Sequence, residues 1–345
     1  MEAWPEDIDR ANPAASLKVE KVYCASVLLS GLASLVLSAK EQQLLDQHYK
    51  THIERLLKLH QATPASVIYF LAGCLPLTAQ LHLRIFSLFG QLCRLRDGDN
   101  VLADHARSVI STASLSSKSW FWRLRKLFLQ YELPHPITWL NDKPSKLQTK
   151  KVTKAAVLEY WLDRLRAKAD KLVSLCHLKT RYLGLIECHP LFSSCGSSPW
   201  ETEKAVTQAR LLSGRARLES VTKHWTPGNR HGLCTLPDCC DAPSSHYGDL
   251  SAFLLTCPSL ASTRRAMHEF TSVFLQDNPN LVEIVEECQA IDPTQFLLDC
   301  STMAPVIKAA QCDSEIVPKL FKLTRNICHN LYKRRIFLIE SDNSI

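Results

Sequence analysis

Apolar residues along this 345-residue chain recur at spacings of three and four, and no two segments show the apolar–polar alternation between hairpin turns that paired strands require. Only 10 glycines occur, which argues against an all-β sandwich. Neither GxGxxG nor GxxxxGK followed by Ser or Thr is present, so nothing supports nucleotide binding by a glycine-rich loop. We predict a mainly α protein, a helical bundle followed by a helical C-terminal region.

Residues 23–39 carry no charge and place Ser26, Ser30, Ser34 and Ser38 at intervals of four. Seventeen residues are at the short limit for a membrane span. We therefore interpret the segment as a helix whose small-residue face packs against a neighbour, and we expect no membrane association. The spacing predicts further helices over residues 41–60, 77–95, 101–112, 117–131, 147–175 and 199–214.

The formal net charge of +7 is distributed unevenly along the chain. Residues 118–181 contain 15 Lys and Arg against 5 Asp and Glu, whereas residues 266–307 contain seven acidic residues and no Lys or Arg. The basic segment is either a set of solvated helix faces or a groove for a phosphate backbone. The candidate phosphate contacts are Lys118, Arg123, Arg125, Lys126, Lys146, Lys150, Lys151 and Lys154. Trp122 lies on the opposite side of its predicted helix from the residues expected in the core, so it is a candidate for stacking on a base.

Several short motifs in fixed order carry a resemblance to a known family. They are VLLSGLASLVLS at 27–38, SKSWFW at 117–122, LPHP at 133–136, RLLSGR at 210–215, KHW at 223–225, GLC at 232–234, PDC at 237–239, GDL at 248–250 and LLTCP at 254–258. In this order they resemble the C-terminal segment of non-LTR (LINE-like, Jockey- or CR1-type) retrotransposon reverse transcriptases, over about residues 21–265. The resemblance implies a thumb-like helical domain, a post-thumb region and a cysteine-histidine knuckle.

The same resemblance implies a polymerase active site upstream, and this chain lacks the residues for it. Polymerisation needs carboxylates that hold two Mg²⁺ ions, and the family supplies two of them from a Tyr/Phe-x-Asp-Asp turn. No adjacent Asp-Asp occurs here, and Asp97-Gly98-Asp99 follows a predicted helix, so we interpret it as a helix-ending turn. Only 20 residues precede the thumb-like region, which leaves no room for the family's endonuclease. We expect no magnesium site and no enzymatic activity.

A zinc knuckle is the second feature that the resemblance implies. The sequence offers Cys234, Cys239, His246 and Cys257 as ligands of one zinc ion, with Cys240 and His231 as weaker alternatives for the fourth position. The family's histidine position is occupied here by Ala252. The alternative is a decayed knuckle whose cysteines are buried, reduced bystanders.

The remaining cysteines bear on compartment and on catalysis. The first seven residues, MEAWPED, are acidic where an export signal is basic. We therefore expect an intracellular protein, in the nucleus or cytoplasm, with reduced cysteines. Cys188-His189 lies in an irregular connection with no carboxylate expected nearby, so we interpret it as structural or exposed. Cys328-His329 is interpreted as core within a helix.

Together these patterns predict five segments and one principal function. The segments are an irregular N terminus at 1–20, a thumb-like domain at 21–135, a basic helix and connector at 136–199, a helix with the knuckle-like turn at 200–275, and acidic then basic helices at 276–345. The predicted function is non-catalytic binding of RNA or template-primer nucleic acid by a remnant of a transposable element. Two alternatives remain. One is a structural protein that self-associates through its basic and acidic ends, and the other is a relic without a selected role.

Overall fold

A computed structural model describes residues 12–95, 101–112, 119–216, 218, 232–240 and 248–342. Their α-helices are α1 Pro13–Val19, α2 Ala25–Leu28, α3 Ala39–Leu56, α4 Ala65–Ala72, α5 Leu77–Cys93, α6 Val101–Thr112, α7 Trp120–Gln130, α8 Pro136–Asp142, α9 Lys146–Ala169, α10 Pro190–Ser193, α11 Pro199–Leu212, α12 Pro237–Cys240, α13 Ala261–Gln276, α14 Val282–Ile291, α15 Pro293–Asp299, α16 Ala304–Ala310 and α17 Ile316–Asp342. The described residues form no strand. The predicted mainly α fold is therefore confirmed.

Local capping explains where several of these helices begin. Ser38 and Glu41 form a reciprocal capping box at the start of α3. Ser145 caps α9 by accepting a hydrogen bond from the backbone N–H of Gln148. Ser198 caps α11, whose first residue is proline. Side-chain oxygens thus satisfy N–H groups that have no partner within their helices.

The predicted single helix over residues 23–39 is wrong. A π-helical turn at Glu20–Cys24 leads into the four-residue α2, and Gly31 then takes a left-handed conformation with φ of 76°. Ser38 lies outside this segment's helix because it caps α3. The small-residue stripe therefore never forms one face. By length and composition, none of the described helices could cross a membrane alone. Helices α4 and α5 together are long and apolar enough for a span, but they are bent by 61° relative to each other.

The N-terminal helices pack around α5. Helices α3, α7 and α9 contact it from different sides, and α4 packs on both α3 and α9. Aromatic rings fill the centre, where Phe86 and Phe89 on α5 meet Phe128 on α7 edge to face at centroid distances of 5.3 and 5.7 Å. The C-terminal helices pack around α17, which contacts α11, α13 and α15. Buried residues from both groups belong to one continuous cluster.

Helix α9 ends six residues before the predicted limit at residue 175. After Ala169 the chain turns, and a 3-10 turn at Val173–Leu175 buries Leu175. Val152 is 39% exposed. The buried residues of α9 include Thr149, Thr153, Val157, Trp161 and Leu165. The basic segment thus shares its core with the helices that precede it, while the division into five segments stays a prediction.

Candidate functional site

Three of the four predicted zinc ligands lie together. The Sγ atoms of Cys234, Cys239 and Cys257 are all within 4.8 Å of one another, and all three side chains are buried. Cys239 Sγ lies 3.5 Å from Cys257 Sγ and 3.4 Å from Ser259 Oγ. The first and last of these cysteines are 23 residues apart in the sequence. Among the described residues, the three thiols are the group that could hold a metal ion.

Short helical turns bring the three thiols to one point. Cys239 lies on α12, and Cys257 directly follows the π-helical turn Ala252–Thr256. The backbone N–H of Gly248 donates to the carbonyl of Gly232 at 2.8 Å. This bond joins residues 232 and 248, which lie on either side of Cys234 and Cys239 in the chain.

The geometry of the cluster fits a thiolate metal site. A zinc–sulfur bond of about 2.3 Å gives sulfur–sulfur separations of about 3.8 Å in a tetrahedron. The neighbouring Cys234 thiol and burial raise the pKa of Cys257, so a cation is needed if several of these groups are to be ionised together. Arg264 donates a hydrogen bond to the Cys257 carbonyl, and its Nη1 is buried without a hydrogen-bond partner. Its guanidinium adds positive charge beside the thiols.

The fourth ligand lies outside this geometry. His246, the predicted fourth ligand, falls in residues 241–247, beyond the described residues, as does His231. The side chain of Cys240 is likewise outside the described set. Among the residues that are described, no further His, Cys, Asp or Glu joins the three thiols within the same distance. The structure therefore supplies three sulfur ligands and leaves the fourth open.

Three of the predicted basic residues line one groove between α5 and α9. Lys146, Lys150 and Lys154 are exposed and follow one another at four-residue intervals. Arg84 on α5 and Arg94, the residue that follows α5, line the same groove of about 310 Å³. None of the described residues that line it is acidic. Because the two arginines stand among apolar residues in the sequence of α5, the charge pattern along the chain did not single them out.

Contacts at the floor hold this groove, which we call the α5–α9 groove, in shape. Arg94 Nη1 donates to the Pro144 carbonyl at 3.1 Å and lies 3.5 Å from Thr149 Oγ1. Gly90 faces the same threonine: a Cβ added at Gly90 would lie 2.8 Å from Thr149 Cγ2. The absence of a side chain at this position lets the two helices touch.

The other predicted phosphate contacts that the structure describes do not line the groove. Arg123 is only 9% exposed and donates to the Leu35 carbonyl at 3.1 Å, so its expected position on a cationic face is wrong. Arg125 is half-buried and donates to the Ile110 carbonyl at 3.3 Å. Lys126 is exposed on α7. Lys118 falls outside the described residues.

Two further predictions are corrected near this surface. Lys151 lines a different cleft, of about 980 Å³, together with Glu159 and Asp163. Trp122 is 5% exposed, so the prediction that it stacks on a base is wrong. Arg125 Cζ and Lys126 Nζ lie over its ring at 5.4 and 5.3 Å from the ring centroid, which explains how these side chains pack there.

The carboxylate of Asp299, buried beside His189, was not predicted from the sequence. His189 Nε2 and Asp299 Oδ2 lie 3.4 Å apart with both side chains fully buried, at an ion-pair distance but without hydrogen-bond alignment. His189 Nδ1 accepts a hydrogen bond from the backbone N–H of Leu191, and Cys188 Sγ donates to the Leu71 carbonyl. Burial raises the pKa of Cys188 to about 12, which keeps it a thiol. The expectation that no carboxylate lies near Cys188-His189 is therefore wrong, while a structural role for the pair stays a prediction.

The core interpretation of Cys328-His329 is confirmed, since both side chains are buried in α17.

Searches of protein-family models, of curated proteins and of solved structures found no match to this chain. What the molecule does must therefore follow from its own residues. Two features have the chemistry of a site: the thiol cluster and the α5–α9 groove.

Proposed function

We propose that this protein binds the phosphate backbone of nucleic acid through the α5–α9 groove and carries out no chemistry on it. The observation that supports the proposal is the lining of the groove, which has five cationic side chains and, among the described residues, no carboxylate. Ammonium and guanidinium groups are the usual phosphate partners in such complexes. The proposal agrees with the resemblance to the thumb and post-thumb part of a retrotransposon reverse transcriptase.

Backbone contacts of this kind make a measurable prediction about salt. Lys146, Lys150 and Lys154 are about 6 Å apart along α9, one helical turn each. Each phosphate that they neutralise releases a counterion, which contributes about 0.7 to 0.9 to the slope of log affinity against log salt. Affinity for RNA should therefore fall steeply as salt increases.

A charge-matched pair of triple variants tests the groove. We expect Lys146→Ala with Lys150→Ala and Lys154→Ala to reduce the salt slope by about 2 to 3 for RNA, measured by fluorescence anisotropy. The control, Lys151→Ala with Lys168→Ala and Lys171→Ala, removes three exposed lysines that do not line the groove. Equal losses in both variants, or no binding by the unmodified protein at about 50 mM salt, would contradict the proposal.

We also propose that Cys234, Cys239 and Cys257 bind a structural zinc ion with His246 as the fourth ligand. Such an ion would stabilise the region around residues 232–260 by joining α12 to the chain before and after it. The support is the convergence of three buried sulfur atoms at the separations of a zinc site. The ion would hold structure and supply no catalytic water, since four protein ligands close the site.

Metal analysis of purified protein tests the zinc proposal. We expect one zinc ion per chain in the unmodified protein and in Cys312→Ser, which removes an exposed cysteine far from the cluster. Cys239→Ser should lose the ion, and His246→Ala should bind it more weakly. Zinc-free native protein in which all three thiols react with a thiol reagent would show a decayed knuckle instead.

A further inference from the structure

The cations of the α5–α9 groove come from both of its walls. Arg84 lies on α5 and Arg94 directly follows it, while Lys146, Lys150 and Lys154 belong to α9. An anion that contacts both walls must enter the space between the helices. The site is therefore a narrow channel and differs from a flat basic surface, on which all cations would face outward from one side.

The width of this channel is set by packed helices. The axes of two helices in contact are about 8–10 Å apart, and α5 and α9 are in contact at Gly90 and Thr149. A duplex cannot enter such a space, because the major groove of B-DNA alone is about 12 Å wide and the minor groove of an A-form RNA duplex is also wide. The duplex could contact only the rim of the channel, with the phosphates of one strand. A single strand has no such restriction, because its backbone can follow the floor of the channel.

The length and the lining of the channel fit a short stretch of backbone. Lys146 and Lys154 are eight residues apart, which is about 12 Å along α9, enough for about three phosphates at one per lysine. None of the described lining residues is aromatic, and Leu83 is the apolar side chain among them. Stacking of bases on aromatic rings is thus not built into the channel.

We propose, resting on the function proposed above, that the ligand of the α5–α9 groove is single-stranded RNA or DNA, held by its phosphates without regard to base identity. Both walls contact the same phosphates of one strand. A duplex reaches the lysines on the rim and leaves the arginines of α5 without a phosphate. Selection between strand states therefore comes from the shape of the channel, and affinity comes from its charge.

The test compares ligands of equal length on the full chain. Labelled oligo(U) and oligo(A) of about 20 nucleotides and a blunt RNA duplex of the same length are titrated at about 50 mM salt, with the two triple lysine variants as groove and control proteins. We expect the single strands to bind at least about tenfold more tightly than the duplex and within about threefold of each other. The groove variant should lose this preference, and the control variant should keep it.

Each other outcome has a separate meaning. Equal or tighter binding of the duplex, abolished in the groove variant, would overturn the single-strand inference and leave the proposed function standing. A single-strand preference that survives in the groove variant would overturn the inference, because the channel would not be its source. Binding of neither ligand by the unmodified protein would refute the proposed function itself.

Discussion

Replacing Gly73 with alanine should destabilise this protein far more than the same change at Gly31. Both glycines have a left-handed backbone, with φ of 57° and 76°. At Gly31 nothing lies within 4 Å of an added Cβ, whereas at Gly73 the added Cβ would lie 1.6 Å from the carbonyl oxygen of Glu187. The pair separates the cost of the backbone conformation from the cost of a blocked space.

The expected magnitudes follow from these contacts. A left-handed conformation costs an L-residue about 1–2 kcal/mol, and this is the whole cost expected at Gly31. At Gly73 the neighbouring chain must move, which adds about 1–3 kcal/mol for overpacking. The movement also disturbs the bond from the His189 N–H to the Leu71 carbonyl, 2.9 Å long, worth about 1 kcal/mol. We expect a loss of about 3–6 kcal/mol for Gly73→Ala.

Guanidinium unfolding followed by circular dichroism measures the free energy of unfolding for both variants. Gly184→Ala serves as the baseline, because an added Cβ there meets nothing within 4 Å and its φ is not positive. A loss at Gly73 no larger than that at Gly31 would refute the reasoning, since it would show that residues 186–189 do not pack closely on the end of α4.

Two further predictions concern buried polar groups. Burial lowers the pKa of His82 to about 3, so as pH falls through 6.5 the unfolded chain takes up a proton that the folded chain does not; the stability should fall by about 2 kcal/mol between pH 7 and pH 5. His82→Gln should remove this part of the pH dependence, and an unchanged pH profile of unfolding would contradict the prediction. Asp299→Ala leaves His189 buried without its carboxylate and should cost about 3 kcal/mol or more, whereas Asp104→Ala, at an exposed ion pair with Arg107, should cost at most about 1 kcal/mol. Similar thermal shifts for the two aspartate variants would show that the buried pair is not important for stability.

Helices with regular apolar spacing could be predicted well from the sequence. The predicted range 101–112 coincides with α6, and the helix predicted to begin at residue 199 begins there as α11. Residues 23–39 failed because apolar and small residues are compatible with a helix, while the left-handed turn at Gly31 depends on where the chain has to go next. Local propensity does not contain that information.

Site residues were predictable only where sequence neighbours become spatial neighbours. The three clustered cysteines lie within 23 residues, and the groove lysines share one helix. Arg84 and Arg94 reach the groove from a helix more than fifty residues away, and Asp299 reaches His189 from 110 residues away. Arg123 was misplaced because a helical charge pattern does not show that its guanidinium will meet the carbonyl of Leu35. Such pairings arise from tertiary packing.

Gly90 has a consequence for how the groove could change in evolution. The residue contacts no anion, yet the close approach of α5 and α9 at Thr149 depends on its lack of a side chain. Any larger residue would wedge the helices apart, and the arginines of one wall and the lysines of the other would no longer reach a shared phosphate. The density of positive charge in the groove would fall although no cationic residue was lost. A substitution at this position could therefore tune affinity for a polyanion while every charged residue stayed in place.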